Sequence, residues 1–250
     1  MELIFGIHSI KEAIFNPNRN SHELYATEKG LTDFLEKNRL KKSDLKLSKL
    51  LILDSHQIHE AAKKFAKESD FEIDRVPSQI FLRTTPLEIK DVTWLYAQIK
   101  NKNVKKIIAL DQITDVHNMG AICRTASFYG VDAVLFSQKN DLKLSPAFFR
   151  IASGSSEYLS LVKTNNLPKT IAKLLEYNSE VVGFCETGDE AGDTKLNSDE
   201  CVVLVLGAED TGLSFAVKRL LVKKFKFTPK GKIQTLNVSV AAAVAMEKFF

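Results

Sequence analysis

Apolar and polar residues alternate along the chain with two different periods, and the switches between them mark out elements. Near the start, Ile10–Phe15 reads as a helix and Glu23–Ala26 as a short strand. Leu50–Asp54 is a second strand. Ile58, Ala61, Ala62 and Phe65 fall on one side of a helix predicted over His56–Lys67. Phe71–Val76 alternates as a strand does, and Pro77 closes it. Between these, Asn38–Ser48 is polar and basic, a loop, while Thr84–Asn103 holds Pro86 and a short helix near Trp94 and reads as a linker. From Lys106 the pattern sharpens. Strands are predicted at Lys106–Leu110, Asp132–Phe136, Leu159–Lys163, Glu180–Cys185, Cys201–Leu206 and Val222–Phe227. Helices are predicted at Asn118–Tyr129, at Leu167–Tyr177 and from about Leu236. Strands alternating with helices in this way argue for an α/β fold with a mostly parallel sheet covered on both faces. Such sheets bind ligands outside the carboxyl ends of their strands, so the loops after Leu110, Leu206 and Phe227 carry the interest.

Composition narrows the class. The chain has 250 residues, of which 44% are hydrophobic and 26% charged, enough to build a core; this excludes disordered, collagenous and disulfide-scaffold chains. Cys123, Cys185 and Cys201 form no C-x-x-C pair and suit a reducing cytoplasm. The N-terminal stretch lacks signal-peptide character, and the longest apolar runs fall short of the ~20 residues that span a bilayer. With 35 Lys and Arg against 31 Asp and Glu, the net charge of +4 is uninformative until it is divided. Lys37, Arg39, Lys41, Lys42, Lys46 and Lys49 surround one acid, Asp44, whereas the run from Lys218 to Lys232, which includes Lys223 and Lys224, contains none. Glu186 to Glu200 is an acidic segment. Each basic run is either solvated surface or a nucleic-acid contact.

Three loops hold unusual residue combinations. Asn118, Gly120 and Arg124 lie at a strand-to-helix transition: Asn118 is suited to cap a helix, Gly120 to let backbone approach a ligand, and Arg124 to meet an anion. Gly207, Glu209 and Gly212 follow the apolar strand VVLVL, where a tight loop can present amides to a ligand or simply turn into a helix capped by Ser214. Thr235 and Asn237 open a helix of small apolar residues, as caps or as ligand contacts. Elsewhere, His56 and His59 lack a third metal ligand nearby, and Cys123 falls on an apolar helix face.

Taken together, the three loops resemble the SpoU/TrmH family of RNA ribose 2'-O-methyltransferases, of the SPOUT superfamily. Asn118-x-Gly120-x-x-x-Arg124, Gly207-x-Glu209-x-x-Gly212 and Thr235-Leu-Asn237-Val-Ser-x-Ala241 match its three motifs in order. Ala152–Glu157 is similar to the family's segment between the first two. The likeness is strong over residues 104–250. Residues 1–80 resemble, more weakly, the small α/β RNA substrate-binding domain that many members carry, with 81–103 as linker.

The resemblance implies a C-terminal trefoil knot, a homodimer, and S-adenosyl-L-methionine as cofactor with contacts at Gly207, Phe227, Leu236 and Thr187. It implies methylation of a ribose 2'-hydroxyl, with Arg124 clamping phosphate and stabilising the developing alkoxide, and Asn118 orienting the ribose. Glu209 would fix Arg124 or neighbouring amides, and Thr235 with Asn237 would complete a polar pocket. RNA contacts are expected at Lys41, Lys42, Lys223 and Lys224. Large-subunit ribosomal RNA is the favoured substrate and tRNA the nearest alternative, with no metal and no membrane involved. Three departures stand out: Val116 where many members have Pro, Thr235 for the commoner Ser, and no His-Gln-Gly segment near Gln79–Thr84. A non-catalytic RNA-binding protein of the same fold is the competing reading. A nucleotide-binding oxidoreductase or hydrolase lacks its phosphate loop or nucleophile motif.

Overall fold

The computed structural model describes the whole chain except residues 138–143, 191, 193, 197 and 198. It divides into two compact units.

The first unit contains Met1–Glu88 and the described part of 143–158. Its elements are β1 (Glu2–Phe5), α1 (Ile7–Phe15), β2 (Glu23–Ala26), α2 (Glu28–Asn38), β3 (Lys49–Ile52), α3 (Ser55–Glu68) and β4 (Ile80–Thr84). The sheet order is β1-β4-β2-β3, with β4 antiparallel to both neighbours and β2 parallel to β3. Thr27 caps α2 through Gly30 N, and Asp54 caps α3 through the amides of His56 and Gln57. One core forms around Leu3, Phe5, Tyr25, Ile58, Ala62 and Phe81, and the Tyr25 and Phe81 rings stack at 4.7 Å.

Two expectations fail in this unit. Phe71–Val76 pairs with no strand: Phe71, Ile73 and Val76 pack against the core as irregular chain, so their alternation reports one-sided burial without a ladder. The strand lies further on, at Ile80–Thr84, beyond a left-handed turn at Ser78 and Gln79. Residues 81–103 are likewise not a bare linker. They hold most of β4 and, in the second unit, β5 (Lys90–Asp91) and α4 (Val92–Lys100), which Asp91 caps through Trp94 N at 2.8 Å.

The remaining elements are β6 (Lys106–Asp111), α5 (Val116–Phe128), β7 (Ala133–Ser137), α6 (Pro146–Ala152, in the first unit), β8 (Ser160–Thr164) and α7 (Leu167–Glu176). They continue with β9 (Glu180–Glu190), β10 (Val202–Gly207), α8 (Phe215–Leu220), β11 (Lys223–Lys226) and α9 (Val238–Phe249). The second unit is a seven-stranded sheet of order β11-β9-β10-β6-β7-β8-β5, and every pairing in it is parallel. Its central strands KIIAL and VVLVL are buried on both faces, as a helix-covered parallel sheet requires. The chain leaves β6 toward β7 on one side and leaves β10 toward β11 on the other. The order therefore reverses between β6 and β10, where Gly207 sits opposite Asp111. That crevice is where a ligand site is expected in an open parallel sheet.

Candidate active site

Both loops that flank this crevice are shaped by local chemistry. Asp111, buried at the end of β6, accepts a hydrogen bond from Ser214 N at 2.6 Å and ties down the loop after β10. Gly212, with φ 64, donates from its amide to Ala208 O at 2.8 Å and closes that loop on itself. A Cβ on Gly207 would lie 2.1 Å from the carbonyl carbon of Gly212, so no other residue fits there. Ser214 caps α8, the role its position suggests.

Asn118 does not cap α5. Asp115 does, accepting from His117 N at 2.8 Å, and Asn118 lies inside the first turn. That frees the Asn118 amide to donate to Glu209 Oε1 at 3.2 Å. Asn237, which caps α9 through Ser239 N, donates to Asn118 Oδ1 at 3.0 Å and to Glu209 Oε1. Val238 N, the first amide of α9, also reaches Glu209 Oε1, at 3.1 Å. The three loops thus converge on one carboxylate oxygen, whose twin Oε2 meets no protein donor among the described residues.

Arg124 stands apart from this cluster. Six positions beyond Asn118 along a helix is a turn of about 600°, which puts it about 120° round the helix from Asn118. It is exposed and makes no hydrogen bond or ion pair among the described residues. Glu209 fixes amides, one of the two expected roles, and does not touch Arg124.

Beside the cluster opens a cavity of about 520 Å³. Gly207, Phe227, Leu236, Thr187, Glu209 and Thr235 all line it, whereas Asn118, Arg124 and Asn237 do not. Its floor is aromatic: Phe184 and Phe227 stack at 5.2 Å with planes 11° apart, and Phe225 stacks on Phe249 at 5.3 Å. Glu186, Asp210, Lys218 and Lys230 place charges of both signs around it. Sequence reading missed Phe184, Lys218 and the buried Asp111; the aromatic phase of β9 and an acid directly following KIIAL were the available signals.

The basic candidates divide. Lys41 and Lys42 are exposed at a 3-10 turn in the first unit. In the second unit Lys223 is tied to Glu180, leaving Lys224 without an ion pair among the described residues. Cys123 is fully buried, and burial pushes its thiol up to about 12, which suits packing.

This convergence of three loops is the arrangement the motif likeness implies, and comparison with known proteins agrees. The family model of the SpoU rRNA methylase family matches residues 105–247. The chain belongs to the SpoU rRNA methylase family. Among its relatives, the 23S rRNA (guanosine-2'-O-)-methyltransferase RlmB of Acinetobacter baylyi is 29% identical over 98% of this chain and 95% of its own. The Pseudomonas putida protein of the same name is 25% identical over 98% and 94%. Among solved folds, the SpoU methyltransferase AviRb of Streptomyces viridochromogenes, crystallised with its cofactor AdoMet, superposes with a TM-score of 0.73 at 17% identity. That superposition covers 98% of this chain and 88% of AviRb. No helix among the described residues is long and apolar enough to cross a membrane.

Proposed function

We propose that this SpoU-family chain methylates a ribose 2'-hydroxyl in structured RNA, most directly large-subunit ribosomal RNA, with S-adenosylmethionine as methyl donor. The observation that carries this is the convergence of Asn118, Asn237 and Val238 N on Glu209 at the rim of the cavity. The cavity suits the cofactor in size, since small-molecule sites run from about 300 to 1,000 Å³. Its stacked aromatic floor suits a purine, and its mixed charges suit a zwitterion. Gly207, Phe227, Leu236 and Thr187 would hold it, and when bound it supplies an electrophilic methyl group.

The chain's own residues do the rest by positioning and electrostatics. Glu209 locks the two asparagines, so their remaining polar atoms meet the ribose with little reorganisation. Glu209 Oε2 and the Thr235 hydroxyl complete the polar rim. Arg124 binds the phosphate beside the target and stabilises the alkoxide as the hydroxyl loses its proton. A guanidinium is protonated throughout the working pH range, so it acts as a clamp, not a base.

A homodimer belongs to the same reading. Leu236, Val240 and Val244 recur every fourth position and are 48%, 48% and 42% exposed, while Phe128 on α5 is 83% exposed. A stripe of this kind on packed helices supports burial against a second copy. Arg124, unpaired in the single chain, is then available to an RNA held across the dimer. The return of α9 onto β10 and α5 supports a trefoil knot, one of the rare exceptions to unknotted topology. The first unit, with Lys41 and Lys42 exposed, serves as the RNA-binding domain. The reaction is cytoplasmic and uses no metal.

The purified protein is expected to transfer labelled methyl from S-adenosylmethionine to undermethylated ribosomes as alkali-resistant 2'-O-methyl linkages. Failure to label any RNA overturns the reading; label confined to tRNA moves the substrate but keeps the reaction.

A further inference from the structure

We infer that Phe215 and Arg219 form a stacking platform for an unpaired nucleobase of the RNA next to the methylated nucleotide, an inference that rests on the RNA methyltransferase reading above. Phe215 opens α8 with its ring 75% exposed, although the helix buries Val217 one turn away. A single exposed aromatic is ordinary, so the ring alone argues nothing. What surrounds it does.

One turn on, the Arg219 guanidinium lies 5.7 Å from the Phe215 ring centroid, within cation–π range, and pairs with no acid among the described residues. Lys218, which shares a helix face with Phe215 at i,i+3 spacing, lines the cavity. The platform therefore stands at the cavity mouth, one residue spacing from the wall. Between Thr211 and Met246 the sequence has no Asp or Glu at all, against seven Lys and Arg, namely Lys218, Arg219, Lys223, Lys224, Lys226, Lys230 and Lys232.

Charge complementarity selects a polyanion as the occupant, and an open aromatic face beside a guanidinium selects a base over a phosphate alone. Unpaired bases stack on aromatic rings and on Arg planes, whereas a duplex keeps its bases inside. The platform thus fits single-stranded RNA flanking a target ribose seated at the Glu209 cluster. It would favour targets in loops and bulges.

The test uses the full chain. A single-stranded oligoribonucleotide carrying 2-aminopurine is titrated with parent protein, with Phe215→Ala, with Phe215→Trp and with Arg219→Gln, and a duplex of equal length serves as the control. The parent is expected to quench the 2-aminopurine. Phe215→Ala is expected to lose the quenching and bind the single strand roughly ten- to a hundredfold more weakly. Phe215→Trp restores both. Arg219→Gln weakens binding and lowers the salt slope by about 0.7, while Phe215→Ala leaves that slope alone. In methyl transfer, the defect of Phe215→Ala falls on KM for RNA with cofactor binding retained. Parent-like affinity and quenching in Phe215→Ala overturn the platform, as does conversion of that variant from dimer to monomer, which would make the ring a protein contact. Parent protein that methylates RNA without regard to Phe215 removes the platform only. Parent protein that neither binds nor methylates RNA removes the function with it.

Discussion

Glu157 and Glu209 each draw three donors onto one carboxylate, one in each unit of the chain, and they do opposite work. Glu157 accepts from Arg19 Nε and Nη2, both at 2.8 Å, and from Asn16 Nδ2 at 2.7 Å. Arg19 Nη1 goes to Glu2 at 2.6 Å and to the Thr85 carbonyl, and its guanidinium lies 5.5 Å from the Phe149 ring centroid. The side chains of Arg19 and Glu157 are only 1% and 3% exposed, so nothing from solution can join them. Burial pushes the Arg19 guanidinium down, and the hydrogen bonds and charges of Glu157 and Glu2 more than reverse it, leaving it raised. Glu209, by contrast, gathers neutral amides, stays exposed, and keeps one oxygen without a protein donor among the described residues. A saturated network holds the first unit together; an unsaturated one of the same size is available to a substrate.

The largest way to break this comparison is Arg19→Met. It leaves Glu157 and Glu2 facing each other in a buried site with no cation. Removing one partner of a buried ion pair costs about 3–5 kcal/mol. Urea unfolding followed by circular dichroism should show a loss of that size. A loss under about 1 kcal/mol would mean that the cluster is incidental to the fold.

Glu209→Ala should reverse the pattern. Because the site is exposed, stability falls by no more than about 1–2 kcal/mol, the worth of a lost helix-end contact at Val238. Methyl transfer falls more, by about ten- to a hundredfold, since two asparagines lose the charged acceptor that orients them. Glu209→Gln, which keeps one acceptor oxygen, should recover part of kcat. Equal kcat in parent and Glu209→Ala would reduce the cluster to a helix cap.

The two networks also differ in how far they can be read from sequence. Glu209 announces itself because its loop needs Gly207 and Gly212 for close backbone approach, and because asparagines open two neighbouring helices. Glu157 does not. Arg19 is 138 residues away in an ordinary polar turn, and only folding brings it to a segment lying between β7 and β8 in sequence. A Cβ on Gly154 would lie 2.6 Å from Glu12 Cγ, so the small residues around Glu157 serve packing against α1 rather than a ligand loop. Periodicity located most strands because it reports burial. It failed at Phe71–Val76, where burial comes without a ladder, and it passed over β4, whose apolar run IFL is flanked by a turn the pattern could not anticipate. The separation of Arg124 from Glu209 was legible in principle, since six residues along a helix turn a side chain away from its starting face.

The smallest effect sharpens the buried side of the comparison. Glu2 is the second acid around Arg19, and its carboxyl is raised above 4.5, because burial outweighs the lowering by Arg19 and by Leu87 N. A carboxyl raised in the folded state takes up its proton there before the unfolded chain does. Between 4.5 and the raised value the folded state binds more protons, so Glu2 adds stability as pH falls and that stability is lost as pH rises through the folded value. His22 works the other way: burial and then Arg19 lower it from 6.5, so its contribution is present above 6.5 and lost as pH falls. The two slopes oppose each other in mildly acid solution, and the parent's pH–stability curve shows neither cleanly. Glu2→Gln separates them. Its amide oxygen still accepts from Arg19 Nη1 and Leu87 N, while its titration is gone. Near pH 7 its stability should match the parent's or exceed it by less than about 1 kcal/mol. Below that, the variant should lose stability on acidification more steeply than the parent, because the fall from His22 is no longer offset. Superimposable curves from pH 4 to 7 would show that Glu2 carries no strain in the buried cluster, and that Arg19 neutralises both acids as completely as if it faced one.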